Sequence, residues 1–211
     1  MRRHAAFMLL SLALIAGCSK TVRVNVPPRI DLSRYGTLAI VGFTSNADST
    51  IDRYATRQFL EHVQGAQPGT PILELGEPQA VLAAVGASQF DPDTFKKIGG
   101  KFGVQGVFIG ENVYSEPKTE VRISDITKLE GGMRSEVKGD ISARLIETRT
   151  GASIWSSSAW ARRKLGHLSV SAEQGVSASM KDANPRYEMV PALVFHLTQD
   201  FRATSERRPA K

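Results

Sequence analysis

The side chains able to do chemistry are few and scattered. Cys18 is the only thiol in the 211-residue chain. A thiolate attacks electrophilic carbon or sulfur, or binds a soft metal. Cys18 follows Ile15-Ala16-Gly17, a branched apolar residue and two small ones. Upstream, Ala5 to Ile15 is an apolar run broken only by Ser11, and Met1-Arg2-Arg3-His4 gives it a basic start. About 11 residues of helix cover roughly 16 Å, whereas a stable membrane span takes about 20 residues. Residues 1–17 are therefore expected to be a secretory leader that is cleaved, leaving Cys18 as the first mature residue. With no second Cys, the exported chain cannot form an internal disulfide, and its core must hold the fold alone.

Catalytic patterns are otherwise missing. His62, His167 and His196 of the mature chain share no metal-ligand spacing with one another or with Cys18. No Gly-x-Ser-x-Gly elbow exists. Gly99-Gly100-Lys101-Phe102-Gly103 has neither the spacing of a phosphate loop nor its Lys-Ser/Thr pair, and it reads as a helix terminus. Asp91-Pro92-Asp93 reads as a helix start, with Asp91 as cap and Pro92 in the first turn. The chain is thus expected to be no enzyme and to hold no cofactor or metal. The net charge of +6 is spread along the chain, with local clusters at Arg162-Arg163-Lys164 and Arg202–Lys211. Neither cluster has the interleaved aromatics of a nucleic-acid surface, so nucleic acid is not an expected partner. Trp155 and Trp160 lie five apart on one expected strand and so point to opposite faces. One is expected in the core. The other is a candidate partner-binding anchor, with Arg162, Arg163 and Lys164 as its charged rim.

Behind these residues lies an alternating order of elements. Thr37–Phe43 is a continuous apolar run, expected of a strand buried on both faces. Ile51, Tyr54, Ala55, Phe59 and Val63 recur at helical spacing over about 49–64, with Asp48 or Ser49 as cap. Residues 71–75 read as a strand, 78–85 as a short helix, a second helix starts at Asp91 and is stopped or frayed by Gly99-Gly100, and 104–109 is a third strand. Val137, Ile141, Ala143 and Leu145 then alternate with Lys138, Asp140, Ser142 and Arg144, a strand with one wet face. Thr148–Gly151 turns it back into 152–160. Between the two halves, residues 114–136 are polar and read as either a hairpin extension or a loop. A last helix is expected over about 185–203, capped by Asn184, with Pro191 kinking it or delaying its start. The fold class is α/β: a single domain, 31–203, with a mixed sheet, crossover helices, an antiparallel hairpin and a C-terminal helix. Residues 18–30, with Pro27-Pro28, are expected to be a tether, and 204–211 a disordered tail.

Ile15-Ala16-Gly17-Cys18 resembles the lipobox of bacterial lipoproteins, in which the Cys thiol takes a diacylglyceryl group before the leader is cut. The resemblance implies a mature Cys18 with three acyl chains, enough for stable membrane residence. Ser19 in place of Asp resembles the outer-membrane default of such proteins in Gram-negative bacteria, which implies anchoring at the periplasmic face of the outer membrane. Residues 141–156, with Arg144-Leu145-Ile146-Glu147-Thr148 followed by Thr150-Gly151-Ala152-Ser153-Ile154-Trp155-Ser156, resemble a hairpin signature of two envelope families. These are the curli-secretion (CsgG-like) lipoproteins and the lipoprotein activators of penicillin-binding proteins. Thr37–Thr44 and Gly106–Gly110 are similar to their strands, and the likeness covers about 37–160. It implies a non-enzymatic protein-binding or assembly module of the cell envelope, with other envelope proteins as partners. Two alternatives stay open: a homo-oligomeric secretion pore or scaffold subunit, and a binder of peptidoglycan or a small ligand.

Overall fold

The computed structural model describes residues 21–125, 130–171, 175–180 and 184–209. The expected leader, residues 1–17, and Cys18 lie outside the described residues. The main sheet is built on β2 (Leu38–Val41), all four residues of which are buried. β2 lies between two parallel neighbours, β4 (Ile72–Gly76) and β5 (Gly106–Tyr114). Beyond β5 the sheet turns antiparallel through β7 (Glu130–Glu147), β8 (Ser153–Ser171) and β9 (Gly175–Met180). The order is β4-β2-β5-β7-β8-β9, with the short β3 (Thr44–Ser45) beside β5 and β6 (Lys118–Asp125) beside β7. This is the expected α/β architecture with a mixed sheet.

Helices flank both faces. Helix α1 (Ser49–Ala66) starts where the Asp48 carboxylate accepts from the amides of Thr50 and Ile51. It buries Ile51, Ala55, Phe59 and Val63, the stripe its spacing announced. Helix α4 (Pro185–Leu197) starts at Asn184, whose side chain accepts from the amides of Arg186 and Tyr187. It lies against α1, where the Tyr54 and Tyr187 rings stack at 4.1 Å. Together α1 and α4 close one face over Phe43, Phe108, Tyr114, Ile141, Leu145 and Trp155. The opposite face carries α2 (Pro78–Val85) and α3 (Pro92–Phe102), over a smaller core that includes Ala39, Val41, Val107 and Ile146.

Several elements differ from expectation. α3 runs through Gly99 and Gly100 and ends only at Gly103, in the left-handed conformation. Gly99 serves close packing instead of termination: a Cβ there would lie 2.5 Å from the Cβ of Thr148. α4 starts at Pro185 and runs unbroken through Pro191. Burial of Met189, Val190, Leu193, Val194 and Leu197 outweighs the hydrogen bond that the proline removes. The helix stops at Leu197, and Gln199–Phe201 is a 3-10 turn that inserts Phe201 into the core. Residues 114–136, left open between hairpin and loop, are strand for most of their length: β6 pairs with β7 from Lys118↔Glu136 onward. β7 and β8 span 18 and 19 residues, roughly 60 Å each.

The largest difference lies at the ends of the chain. β1 (Thr21–Val26) and β10 (Thr204–Pro209) pair in register as an antiparallel ribbon. The expected tether and the expected disordered tail thus satisfy each other's backbone groups, a pairing between segments more than 170 residues apart that local composition does not signal. Gln67 ties the base of the ribbon to α1. Its side chain accepts from the Leu32 amide and donates to the carbonyls of Ile30 and Phe201.

Candidate functional site

α2 and α3 cover only the end of their sheet face near β2. The rest of that face, across β5, β7 and β8, has no helix on it among the described residues. Strand register sets what it displays. Ile109, Arg144 and Ser156 form one row across the three strands. Glu111, Ser142 and Ser158 form the next, and Val113, Asp140 and Trp160 the third. Lys138 and Arg162 follow on β7 and β8. Arg144 to Lys138 is six residues, or about 20 Å of strand.

Trp160 dominates this surface. It is 61% exposed, and Val113 in the same row is 47% exposed. The Arg162 guanidinium lies 5.4 Å from the indole ring and the Lys138 ammonium 6.0 Å. Lys138 also approaches the Asp140 carboxylate at 3.6 Å. An indole with two cations against it offers a flat apolar surface with a positive margin. The bare face runs into a cleft of about 230 Å³ beside α2, walled by Pro78, Phe90, Ile109, Glu111, Ser142 and Arg144.

The other tryptophan does different work. Trp155 is buried, 4.6 Å from the Phe201 ring and 6.1 Å from Phe108. Its indole N–H donates to the Asp200 carboxylate, which also pairs with Arg29 at 3.2 Å. Trp155 therefore joins the two chain ends to the core, the buried one of the two tryptophans. The basic run splits in the same way, because successive strand residues face opposite sides. Arg162 and Lys164 are exposed on the Trp160 side. Arg163 faces α4, donating through Nε to Glu188 at 2.8 Å and through a second nitrogen of its guanidinium. It fastens the hairpin to the helix and forms no part of the rim. Val113, Glu111 and Phe90 escaped the sequence reading because they lie on β5 or before α3, and only the register of β5 against β7 sets the first two beside Asp140 and Ser142.

Two other features bear on chemistry. Asp91 caps α3, and the Thr94 amide it accepts from holds its carboxyl below the usual range. Beneath α1, the hydroxyl of Tyr114, both side-chain polar atoms of Asn112 and one carboxylate oxygen of Asp52 are buried without hydrogen-bond partners. Burial pushes the Tyr114 hydroxyl up to about 12 and raises Asp52. Among the described residues, no three His, Cys, Asp or Glu side chains are grouped to hold a metal ion, and no helix is long and apolar enough to cross a membrane.

No family profile matches the chain, and no curated protein matches it. Solved structures do. A PelC dodecamer from Paraburkholderia phytofirmans is similar over 88% of this chain and 99% of its own, at 9% identity and a TM-score of 0.40. Lipoprotein GNA1162 from Neisseria meningitidis is similar over 61% of this chain and 83% of its own, at 18% identity and a TM-score of 0.38. The LpoB C-terminal domain from Salmonella enterica covers 60% of this chain and 83% of its own, at 14% identity and a TM-score of 0.34.

Proposed function

We propose that this chain is a lipoprotein of the cell envelope, anchored through Cys18 at the periplasmic face of the outer membrane, that binds a partner protein on its bare sheet face. The observation that carries the docking site is Trp160: an indole left 61% exposed on a rigid antiparallel sheet, with Arg162 and Lys138 against its ring. Leaving so large an apolar surface in water costs stability, and it is recovered when a partner covers it. Tryptophan and arginine are the side chains most enriched among interface residues that dominate affinity. The row from Arg144 to Lys138 matches the length of about six extended residues, with the cleft by Phe90 at one end.

A photocrosslinking amino acid placed at Trp160 in living cells should give a discrete adduct, and one placed at Trp155 should give none. Trp160→Ala should weaken capture of the crosslinked partner about 30-fold, the effect of losing about 2 kcal/mol at an interface centre. Undiminished capture would place docking elsewhere. The anchor is tested apart from this: Cys18→Ser should move the protein from the membrane fraction to the soluble periplasm.

A second reading, self-association, rests on a different observation. Residues 153–165 of β8 pair with β7 on one side and, among the described residues, with no strand on the other. Such a free edge can take a strand from a second copy. Light scattering on detergent-extracted protein distinguishes the two readings, since a ring-sized particle favours self-association.

A further inference from the structure

The β1–β10 ribbon carries a charge arrangement that the fold leaves unexplained. Directly opposite residues of an antiparallel pair point to the same face. On one face Val22, Val24 and Val26 oppose Arg208, Glu206 and Thr204, and Arg208 pairs with Glu206 at 3.1 Å. On the other face Arg23 stands directly opposite Arg207, with Asn25 opposite Ser205. Both arginines are exposed, and neither has a carboxylate partner among the described residues. Like charges placed opposite each other destabilise a strand pair. The arrangement calls for an anion from outside the chain.

The position of the ribbon says which anion. Its base is fastened to the core through Gln67. Its tip is the Thr21–Pro209 pair. Thr21 is three residues from Cys18, at most about 10 Å of extended chain. The sequence adds Lys20 just before the ribbon. A lipid on Cys18 would hold the ribbon tip at the bilayer surface. Arg23 is five residues from Cys18, so it can lie no further than about 17 Å from the anchor, with Arg207 directly opposite, and both meet the headgroups when the ribbon lies down against the surface.

We propose that this ribbon is a second membrane contact, in which Arg23 and Arg207 bind the phosphates of anionic phospholipid headgroups. The inference rests on the reading of Cys18 as the anchor. One acyl-bearing residue holds a domain at the membrane without orienting it. A two-stranded ribbon with a cationic face next to the lipid fixes its tilt, and with it the direction in which the Trp160 face looks. The C-terminal strand thereby acts as part of the anchor.

The test uses the mature chain from residue 18 with Cys18→Ser, so that no lipid contributes, and vesicles of phosphatidylcholine with or without phosphatidylglycerol. A basic group near an anionic surface is worth about 5-fold in binding. The chain should bind the anionic vesicles, bind neutral ones far more weakly, and be released by salt. Arg207→Glu should weaken binding about 25-fold, because it removes one cation and adds one anion. The same change places opposite charges across the ribbon at Arg23, so the fold is kept and the melting transition should not fall. Arg23→Ala should cost about 5-fold. Equal binding to neutral vesicles, or full binding by Arg207→Glu, overturns the proposal. So does binding to soluble polyphosphate without binding to vesicles, which would make a free polyanion the ligand. Failure of the anchor itself would show only in the fractionation of Cys18→Ser cells, so the two failures are distinguishable.

Discussion

The two faces of one sheet follow opposite rules. Under α1 and α4, the sheet carries an aromatic cluster in which Phe59 lies 5.2 Å from both Phe43 and Phe108, and Trp155 packs on Phe201. On the other side, past the end of α2 and α3, the same strands display Asp140, Ser142, Arg144 and Trp160 to water. Trp155 and Trp160 sit five residues apart on β8 and differ almost completely in burial. Residue type alone therefore does not assign a tryptophan to structure or to binding. The parity of its position on a strand, and the presence or absence of a helix above that face, make the assignment.

The contrast can be broken most severely from the covered side. Trp155→Ala should cost about 3–5 kcal/mol, since it opens a cavity and leaves Asp200 without its indole donor. Thermal unfolding followed by circular dichroism should show a fall of about 6–20 °C, on the scale of about 2–4 °C per kcal/mol for a domain of this size. A fall under about 3 °C would mean that the aromatic cluster is not the centre of the core.

A smaller effect is expected where the covered side holds a polar group. Burial favours the neutral form of Tyr114 and lifts its pKa from 10.0 to about 12. A raised folded-state value means that the folded protein binds more protons than the unfolded chain between these values. The stability due to Tyr114 is therefore fully present below about pH 10 and is lost as pH rises towards 12. Melting temperature should decline over that window more steeply in the wild type than in Tyr114→Phe. Parallel profiles would remove Tyr114 as the cause.

The smallest stability effect belongs to the bare face. Trp160→Ala should change unfolding free energy by no more than about 0.5 kcal/mol, as for other exposed positions. The same change should be the most damaging one for partner capture. If Trp160→Ala melts as early as Trp155→Ala, the face is covered in the folded protein and the two-sided division fails.

Much of this division was legible in the chain. The stripe Ile51, Ala55, Phe59 and Val63 announced the covered face of α1, and the alternation from Val137 to Leu145 announced both faces of β7. The opposite outlooks of Trp155 and Trp160 followed from their spacing. The cationic rim was only half legible: Arg162-Arg163-Lys164 reads as one patch, yet Arg163 is spent on Glu188.

What the sequence determined by itself is what depends on neighbours within a few positions. Caps at Asp91 and Asn184, a cap at Asp48 or its neighbour, and the periods of helix and strand are all of this kind, because each is set by local geometry. The tertiary structure alone decided what depends on distant segments. It ran α3 through Gly99 because Thr148 packs there, set Val113 beside Asp140 and Trp160, and paired Val22–Val26 with Thr204–Arg208. Strand pairing joins backbone groups that carry the same chemistry in every residue, so register and partner come from the closure of the whole core, which the local pattern of either strand does not contain.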